Sequence, residues 1–249
     1  MIRRVLGIDL ASRNWSSIGS ATIEFDVIVG AFTTVTPRAI SWPACGLTPA
    51  ALADVIDDFA RDRGVCAVAI DGPQGWRHPC TPCGELGVGR RCEYLARTQG
   101  KTGVWPMTFP RTQRRWTEFS VATFERLLDK PGVELADRHD WTANSAYGVL
   151  ECFPTSIWRA TGLTPLPAKT KRPQLERYIF SLCNAYRLPP FETASHDDLQ
   201  AVVAALAAVG PVRGPSVAIP RGQPSAMVSD VAGSRRVEGL IWDAKPIPT

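Results

Sequence analysis

Four separate stretches of this chain bring a carboxylate to the edge of an apolar run. Asp9 ends Val5-Leu6-Gly7-Ile8, Asp71 ends the unbroken run Val65–Ile70, Glu151 follows Tyr147-Gly148-Val149-Leu150, and His196-Asp197-Asp198 opens a late helical pattern. An acid at the end of a buried strand is costly unless it is paired or binds a cation. Carried on neighbouring strands of one sheet, such acids converge at one edge, repel one another and suit a hard divalent cation, Mg²⁺ or Mn²⁺ with oxygen ligands. Two such ions activate a water and stabilise the leaving oxygen in phosphodiester cleavage. The expected metal ligands are Asp9, Asp71, Glu151, Asp197 and Asp198. Of these, Asp9, Asp71, Glu151 and Asp197 are the expected catalytic acids, with His196 as a proton shuttle. Taken singly, each acid has a plainer reading: Asp71-Gly72 is ordinary turn chemistry, and Asp197 or Asp198 beside Ser195 is an ordinary helix cap.

Two further groups carry chemistry. His78, Cys80, Cys83 and Cys92 stand at zinc-compatible spacing in a Gly/Pro-rich stretch, which suits a structural zinc; idle thiols are the plainer alternative. Arg90, Arg91, Arg97, Lys101, Arg111, Arg114 and Arg115 are interleaved with Trp105, Phe109 and Trp116. Basic side chains among rings suit single-stranded nucleic acid, with Arg111, Arg114, Arg115 and Trp116 as expected contacts. A helix with solvated arginines and inward tryptophans has the same letters. Lys169, Lys171 and Arg172 precede a helix, where positive charge opposes the dipole unless an anion is bound, so Lys169 and Lys171 join the expected nucleic-acid contacts. His139 is a second proton-transfer candidate. No Gly-x-Ser-x-Gly pattern and no Gly-rich phosphate loop ending in Lys-Ser/Thr occurs, which leaves hydrolase-triad and P-loop chemistry unsupported.

The elements that must position these residues are legible as patterns. Val5–Asp9, Ile18–Phe25 and Val27–Val35 predict an antiparallel meander of three strands. Thr48-Pro49 predicts a helix start, with Leu52, Val55, Ile56 and Phe59 at helical spacing up to Gly64, and this helix crosses over to a strand at Val65–Asp71. That strand has no alternation and is predicted to be buried on both faces. From about 72 to 116 the chain reads as a Cys/Trp-rich irregular insertion with a short helix near Glu93–Arg97. Thr117–Leu128 then predicts a helix, Ala146–Phe153 a strand, Pro154–Trp158 a short helix, and Pro173–Tyr186 and Ser195–Ala208 two more, the last ending at Gly210-Pro211. The segment 211–236 reads as Pro/Gly/Ser-rich loop before a last strand near Val237–Trp242.

Bulk properties narrow the class. The 249 residues are 45% hydrophobic and 21% charged, too apolar for a disordered chain. No apolar run approaches the ~18–20 residues that a membrane helix needs, and the N-terminus lacks the pattern of a secretory signal, so a cytoplasmic protein without a membrane partner is expected. Seven cysteines, an odd number, do not make a disulfide scaffold. Lys and Arg exceed Asp and Glu by 28 to 24, which permits a polyanionic partner without demanding one. One domain is expected over 1–249.

The ordered motifs Gly7-Ile8-Asp9-Leu10-Ala11, Ala69-Ile70-Asp71-Gly72-Pro73-Gln74-Gly75, Glu151-Cys152-Phe153-Pro154, His196-Asp197-Asp198-Leu199-Gln200-Ala201 and Gly239-Leu240-Ile241-Trp242 resemble those of the DUF429 family of predicted ribonuclease H-like nucleases. The resemblance implies an α/β fold on a mixed five-stranded ribonuclease H-like sheet flanked by helices. It also implies a divalent-metal-dependent nuclease with Asp9 and Asp71 as strand ligands, Glu151 as a third and Asp197 as the helix acid. Where the family commonly has a further helix acid, this chain has Gln200 then Ala201. An amide removes a charge from a hard-metal site. The alternative is therefore a catalytically silent nucleic-acid-binding or adaptor module of the same fold. A Gly-Ile-Asp strand also opens sugar-kinase and actin-like chains that bind ATP, but this chain has neither their second domain nor a Gly-rich adenosine loop.

Overall fold

The expected three-stranded meander forms, but its third strand starts at Ala31 rather than Val27, because residues 27–30 make the turn that joins it to the second. Strands β1 (Ile2–Asp9), β2 (Gly19–Asp26) and β3 (Ala31–Pro37) pair antiparallel in sequence order, with Asp9 opposite Gly19. In this computed structural model, residues 1–81, 87–138, 141, 146–193, 195–213, 218–230 and 233–245 are described. Helix α1 (Pro49–Asp62) is capped by Thr48, whose Oγ1 accepts the Ala51 N–H at 3.1 Å, and Pro49 occupies the first turn where its missing N–H costs nothing. The helix returns the chain to β4 (Val65–Asp71), which lies parallel to β1.

The insertion after β4 holds α2 (Arg91–Leu95) and a small two-stranded sheet of β5 (Lys101–Thr102) and β6 (Thr108–Phe109). Then follow α3 (Arg114–Leu128), β7 (Val133–Leu135), β8 (Tyr147–Cys152), α4 (Pro154–Ala160), α5 (Leu175–Tyr186), α6 (His196–Arg213), β9 (Ala218–Asp230) and β10 (Gly233–Ala244). The main sheet is mixed, in the order β3-β2-β1-β4-β8-β10-β9, with β7 also pairing β8. The fold is thus α/β, a mixed sheet flanked by helices.

That sheet has eight strands where five are expected, and the described residues of the segment 211–236 are not loop. They contribute the end of α6, all of β9 and the start of β10. Pro220 and Pro224 mask this from a composition reading, because proline is poor in central strands. β9 pairs only with β10 in the sheet, and an edge strand tolerates residues without an N–H. Gly222 (φ +113°) and Gly239 (φ +125°) flank the register shift between the two strands, a backbone region that a side chain would strain. Helix α6 also runs past its expected end, to Arg213, with Pro211 inside it. One backbone hydrogen bond is lost there, but the turn is buried, so packing outweighs the local stop signal.

The sheet is buried on both faces. On one, Val5, Ala67, Ala69 and Leu150 pack against α6 and α5; on the other, Leu6, Ile8, Val68, Ile70 and Val149 pack against α1 and α3 through Leu52, Ile56, Phe119 and Phe124. Helix α6 is apolar all round from Ala201 to Val209 and lies in the core. It comes unusually close to the sheet because two strand positions lack a side chain. A Cβ on Gly7 would sit 2.1 Å from the Ala201 carbonyl oxygen, and one on Gly19 2.0 Å from that of Asp197. Since both obstacles are helix backbone, Gly19→Ala is expected to push out the first turn of α6 and cost about 1–3 kcal/mol in denaturant unfolding. A variant as stable as the parent would show that the helix does not depend on the room these glycines leave. Among the described residues no helix is long and apolar enough to cross a membrane.

Candidate metal centre

Strand register decides which acids meet. Asp9 of β1 lies beside Asp71 of β4, and Asp71 lies beside Cys152 of β8. Partners in a parallel ladder point to the same face, and this row faces α6. The helix presents Asp197 there. Ligand atoms of Asp9, His196 and Asp197 all lie within 4.8 Å of one another. Asp9 and Asp71 are within hydrogen-bonding reach of each other.

The electrostatics of this row are those of anions short of a cation. Burial, then the charges of Asp71 and Asp197, push the Asp9 carboxyl well above the usual range. Asp71 is pushed up to about 7, by burial first and by the charge of Glu151 in addition. Without a cation the two carboxyls therefore hold a proton between them at neutral pH. Asp197 goes the other way: burial alone would raise it, but the hydrogen bond and charge of Lys169 hold it below its ordinary value. The Lys169 ammonium, on the exposed segment before α5, bonds directly to Asp197 Oδ2.

His196 is oriented for the same cluster. Its Nε2 lies 2.9 Å from the Pro167 carbonyl oxygen, which only an N–H can satisfy, so Nδ1 is the unprotonated nitrogen of the neutral ring. That Nδ1 is buried, lies 3.4 Å from Asp197 Oδ1 and has no hydrogen-bond partner. An orphaned lone pair beside two carboxylates is a donor set that fits a divalent cation. Imidazole in the set favours Mn²⁺ over Mg²⁺, which prefers oxygen ligands alone.

Glu151 does not join this row. It pairs with Ile70, one position before Asp71, and so leaves the sheet on the opposite face. There Arg90 of the insertion meets it with two hydrogen bonds, Nη1 to Oε2 at 2.8 Å and Nη2 to Oε1 at 2.6 Å, and the Gln74 N–H donates to Oε2 at 2.9 Å. Both oxygens are engaged, and the pair is buried, with Arg90 1% and Glu151 3% exposed. Arg90 also bonds Glu93. Burial pushes the Glu151 carboxyl up while the guanidinium pulls it down. The expected third ligand is thus an ion-pair partner that anchors the insertion to the sheet.

Asp198 is also turned elsewhere. Its Oδ1 accepts the Ser20 N–H at 3.2 Å and its Oδ2 lies 3.7 Å from Arg38, while Ser195 Oγ caps the helix by accepting the Asp198 N–H at 3.2 Å. Gln200, which stands where a further acid was expected, accepts the Trp158 indole N–H at 3.1 Å and serves the core.

The remaining expected groups are dispersed. Cys92 is fully buried in α2 against Ala96 and Ile241, Cys80 is exposed, and Cys83 and His139 lie outside the described residues. Among the described residues the Asp9, His196 and Asp197 group is the one set of three that comes together, so His78, Cys80 and Cys92 do not. Trp116 is partly buried, donates to the Leu10 carbonyl at 3.0 Å and lines a cleft of about 70 Å³ with Asp71, Arg90, Thr102 and Phe153. Arg114 and Arg115 are exposed at the start of the same helix and Arg111 in the 3-10 turn before it, Arg114 bonded to Glu118, and Lys171 is exposed two residues from Lys169. A concavity of about 1190 Å³ along α5 is walled by Ile179, Phe180, Leu188 and Phe191 and includes no member of the acid row. Comparison with models of known families, with curated proteins and with solved structures finds no match.

Proposed function

We propose that this protein is a divalent-metal-dependent nuclease of ribonuclease H-like fold, hydrolysing phosphodiester bonds of nucleic acid. The observation that carries the reading is the meeting of Asp9, His196 and Asp197 from elements distant in sequence, with His196 Nδ1 orphaned and Asp71 beside Asp9 on the neighbouring strand. Within the larger sheet, the run β3-β2-β1-β4-β8, an antiparallel meander followed by two parallel strands, supports the ribonuclease H-like assignment. Asp9, Asp71, Asp197 and His196 would hold the cation. When bound, its chemistry is activation of a water and neutralisation of charge on the phosphodiester. The protein's own residues do the rest: Arg111, Arg114, Arg115 and Lys171 present an exposed basic surface to the strand, Trp116 offers a ring beside the cleft, and Arg90 with Glu151 holds the opposite wall in place. Incubation with labelled single- and double-stranded DNA, RNA, hybrid and branched substrates in Mn²⁺ or Mg²⁺ tests the reading. Metal-dependent cleavage of one class is expected; no cleavage and no Mn²⁺ binding in calorimetry would overturn it.

One observation favours the second reading, a silent nucleic-acid-binding module. Lys169 already supplies Asp197 with a positive charge, as an internal cation would in a site that takes no metal. The two readings separate in Lys169→Ala. For a nuclease, freeing Asp197 is expected to raise Mn²⁺ affinity about two- to fivefold, the worth of an exposed ion pair. For a silent module, calorimetry detects no Mn²⁺ binding with or without the lysine.

A further inference from the structure

Behind the cleft, three arginines from three parts of the chain wall a second cavity, of about 190 Å³: Arg97 after α2, Arg159 at the end of α4 and Arg221 in β9, with Ser156 at its base. Their charge is only partly compensated. Arg221 is paired with the fully buried Asp243, which also holds the Ser156 hydroxyl. Among the described residues, neither Arg97 nor Arg159 has an acidic partner. Three arginines against one carboxylate leave two positive charges on the lining of a cavity open to solvent. The pocket is also held in shape. Arg159 Nη1 donates to the Arg97 carbonyl at 3.0 Å, and Arg97 is kept in the left-handed region at φ +54°, a conformation that costs a non-glycine residue energy and needs such support.

We infer that this pocket binds a phosphate group. Guanidinium forks match phosphate oxygens in both geometry and charge, and a single phosphate fits the volume. The pocket adjoins the cleft lined by Asp71: Thr98 and Phe153 line that cleft, and Arg97 and Ser156, one and three residues away in the chain, line the pocket. Its assignment to a nucleic-acid strand, as the seat of a phosphate outside the cleavage site, rests on the nuclease reading; its affinity for phosphate itself does not.

The test uses Arg97→Ala and Arg159→Ala, both on exposed side chains without an acidic partner; Arg221 is left intact, since its removal strands a buried carboxylate. In an Asp71→Asn background that prevents turnover, three probes are titrated: a 5′-phosphorylated labelled oligonucleotide, its 5′-hydroxyl twin and inorganic phosphate. Each variant is expected to weaken phosphate-dependent binding at least roughly tenfold and to reduce the salt slope for the oligonucleotide by about 0.7. Loss confined to the phosphorylated oligonucleotide assigns a strand end, equal loss for both oligonucleotides an internal phosphodiester, and loss for inorganic phosphate alone a free phosphate site. Affinities unchanged for all three probes, or no binding of any probe before substitution, would overturn the inference. Cleavage assays of the chain with Asp71 in place report separately on the nuclease reading, because phosphate binding at the arginines requires no cleavage.

Discussion

Asp71→Asn is expected to abolish metal-dependent cleavage, to weaken Mn²⁺ binding by more than about 100-fold, and at the same time to make the metal-free protein more stable at neutral pH. The last effect separates a charge-poised site from a structural turn. Asp9 and Asp71 lie side by side and both carboxyls titrate above the ordinary range, Asp71 at about 7. The folded chain therefore holds protons that the unfolded chain has already released. For acids raised in this way, the stabilising contribution is complete below the unfolded value of 3.8 and is lost as pH rises through about 7. While one extra proton is held, stability falls by about 1.4 kcal/mol per pH unit. Asparagine keeps the shape and a hydrogen bond to Asp9 but removes one of the two charges, so the variant's stability should vary less across pH 4–8. Saturating Mn²⁺ should flatten the profile of the parent in the same way, by displacing the shared proton. Denaturant unfolding of both chains across this window makes the comparison. A variant that keeps the parent's Mn²⁺ affinity and pH profile would remove Asp71 from the centre.

Arg90→Ala is expected to be the most damaging single change for folding, at about 3–5 kcal/mol, because it leaves two buried carboxylates without their cation. Glu93 and Glu151 both depend on this one guanidinium, and all three side chains are nearly inaccessible. The loss is not a loss of contacts alone. Changing Glu151 to Gln in the Arg90→Ala background removes one stranded charge and should recover part of the stability, a coupling of about 1–3 kcal/mol in a double-mutant cycle. Glu151→Gln with Arg90 intact should leave Mn²⁺ affinity within a few-fold of the parent, because the carboxylate faces away from the acid row. A large loss of metal binding in that variant, with folding preserved, would instead return Glu151 to the ligand set.

Much of this could be read from residue order. Thr48-Pro49 marks a helix start because capping is settled within one turn of chain, and Val65–Ile70 marks a doubly buried strand because composition along six residues reports burial. The same local evidence picked out Asp9, Asp71 and Asp197, since an acid ending an apolar run is visible without any partner. Glu151 satisfied the same rule and turned the other way. The difference lies in register: a shift of one residue against β4 inverts the face of every side chain, and strands apolar on both faces carry no alternation to reveal it. Asp198 is likewise separated from Asp197 only by the turn of the helix against β2. The β9–β10 hairpin was hidden because an edge strand may hold prolines that a composition rule assigns to loops. What the sequence by itself determined is the helices, the strands β1 to β4 and β8, and the acids at their edges, because those follow from short-range spacing. Which acids share a face, which one takes Arg90, and how near α6 brings Asp197 and His196 to Asp9 were decided by strand register and by the room that Gly7 and Gly19 leave, distances that exist only once the chain has packed.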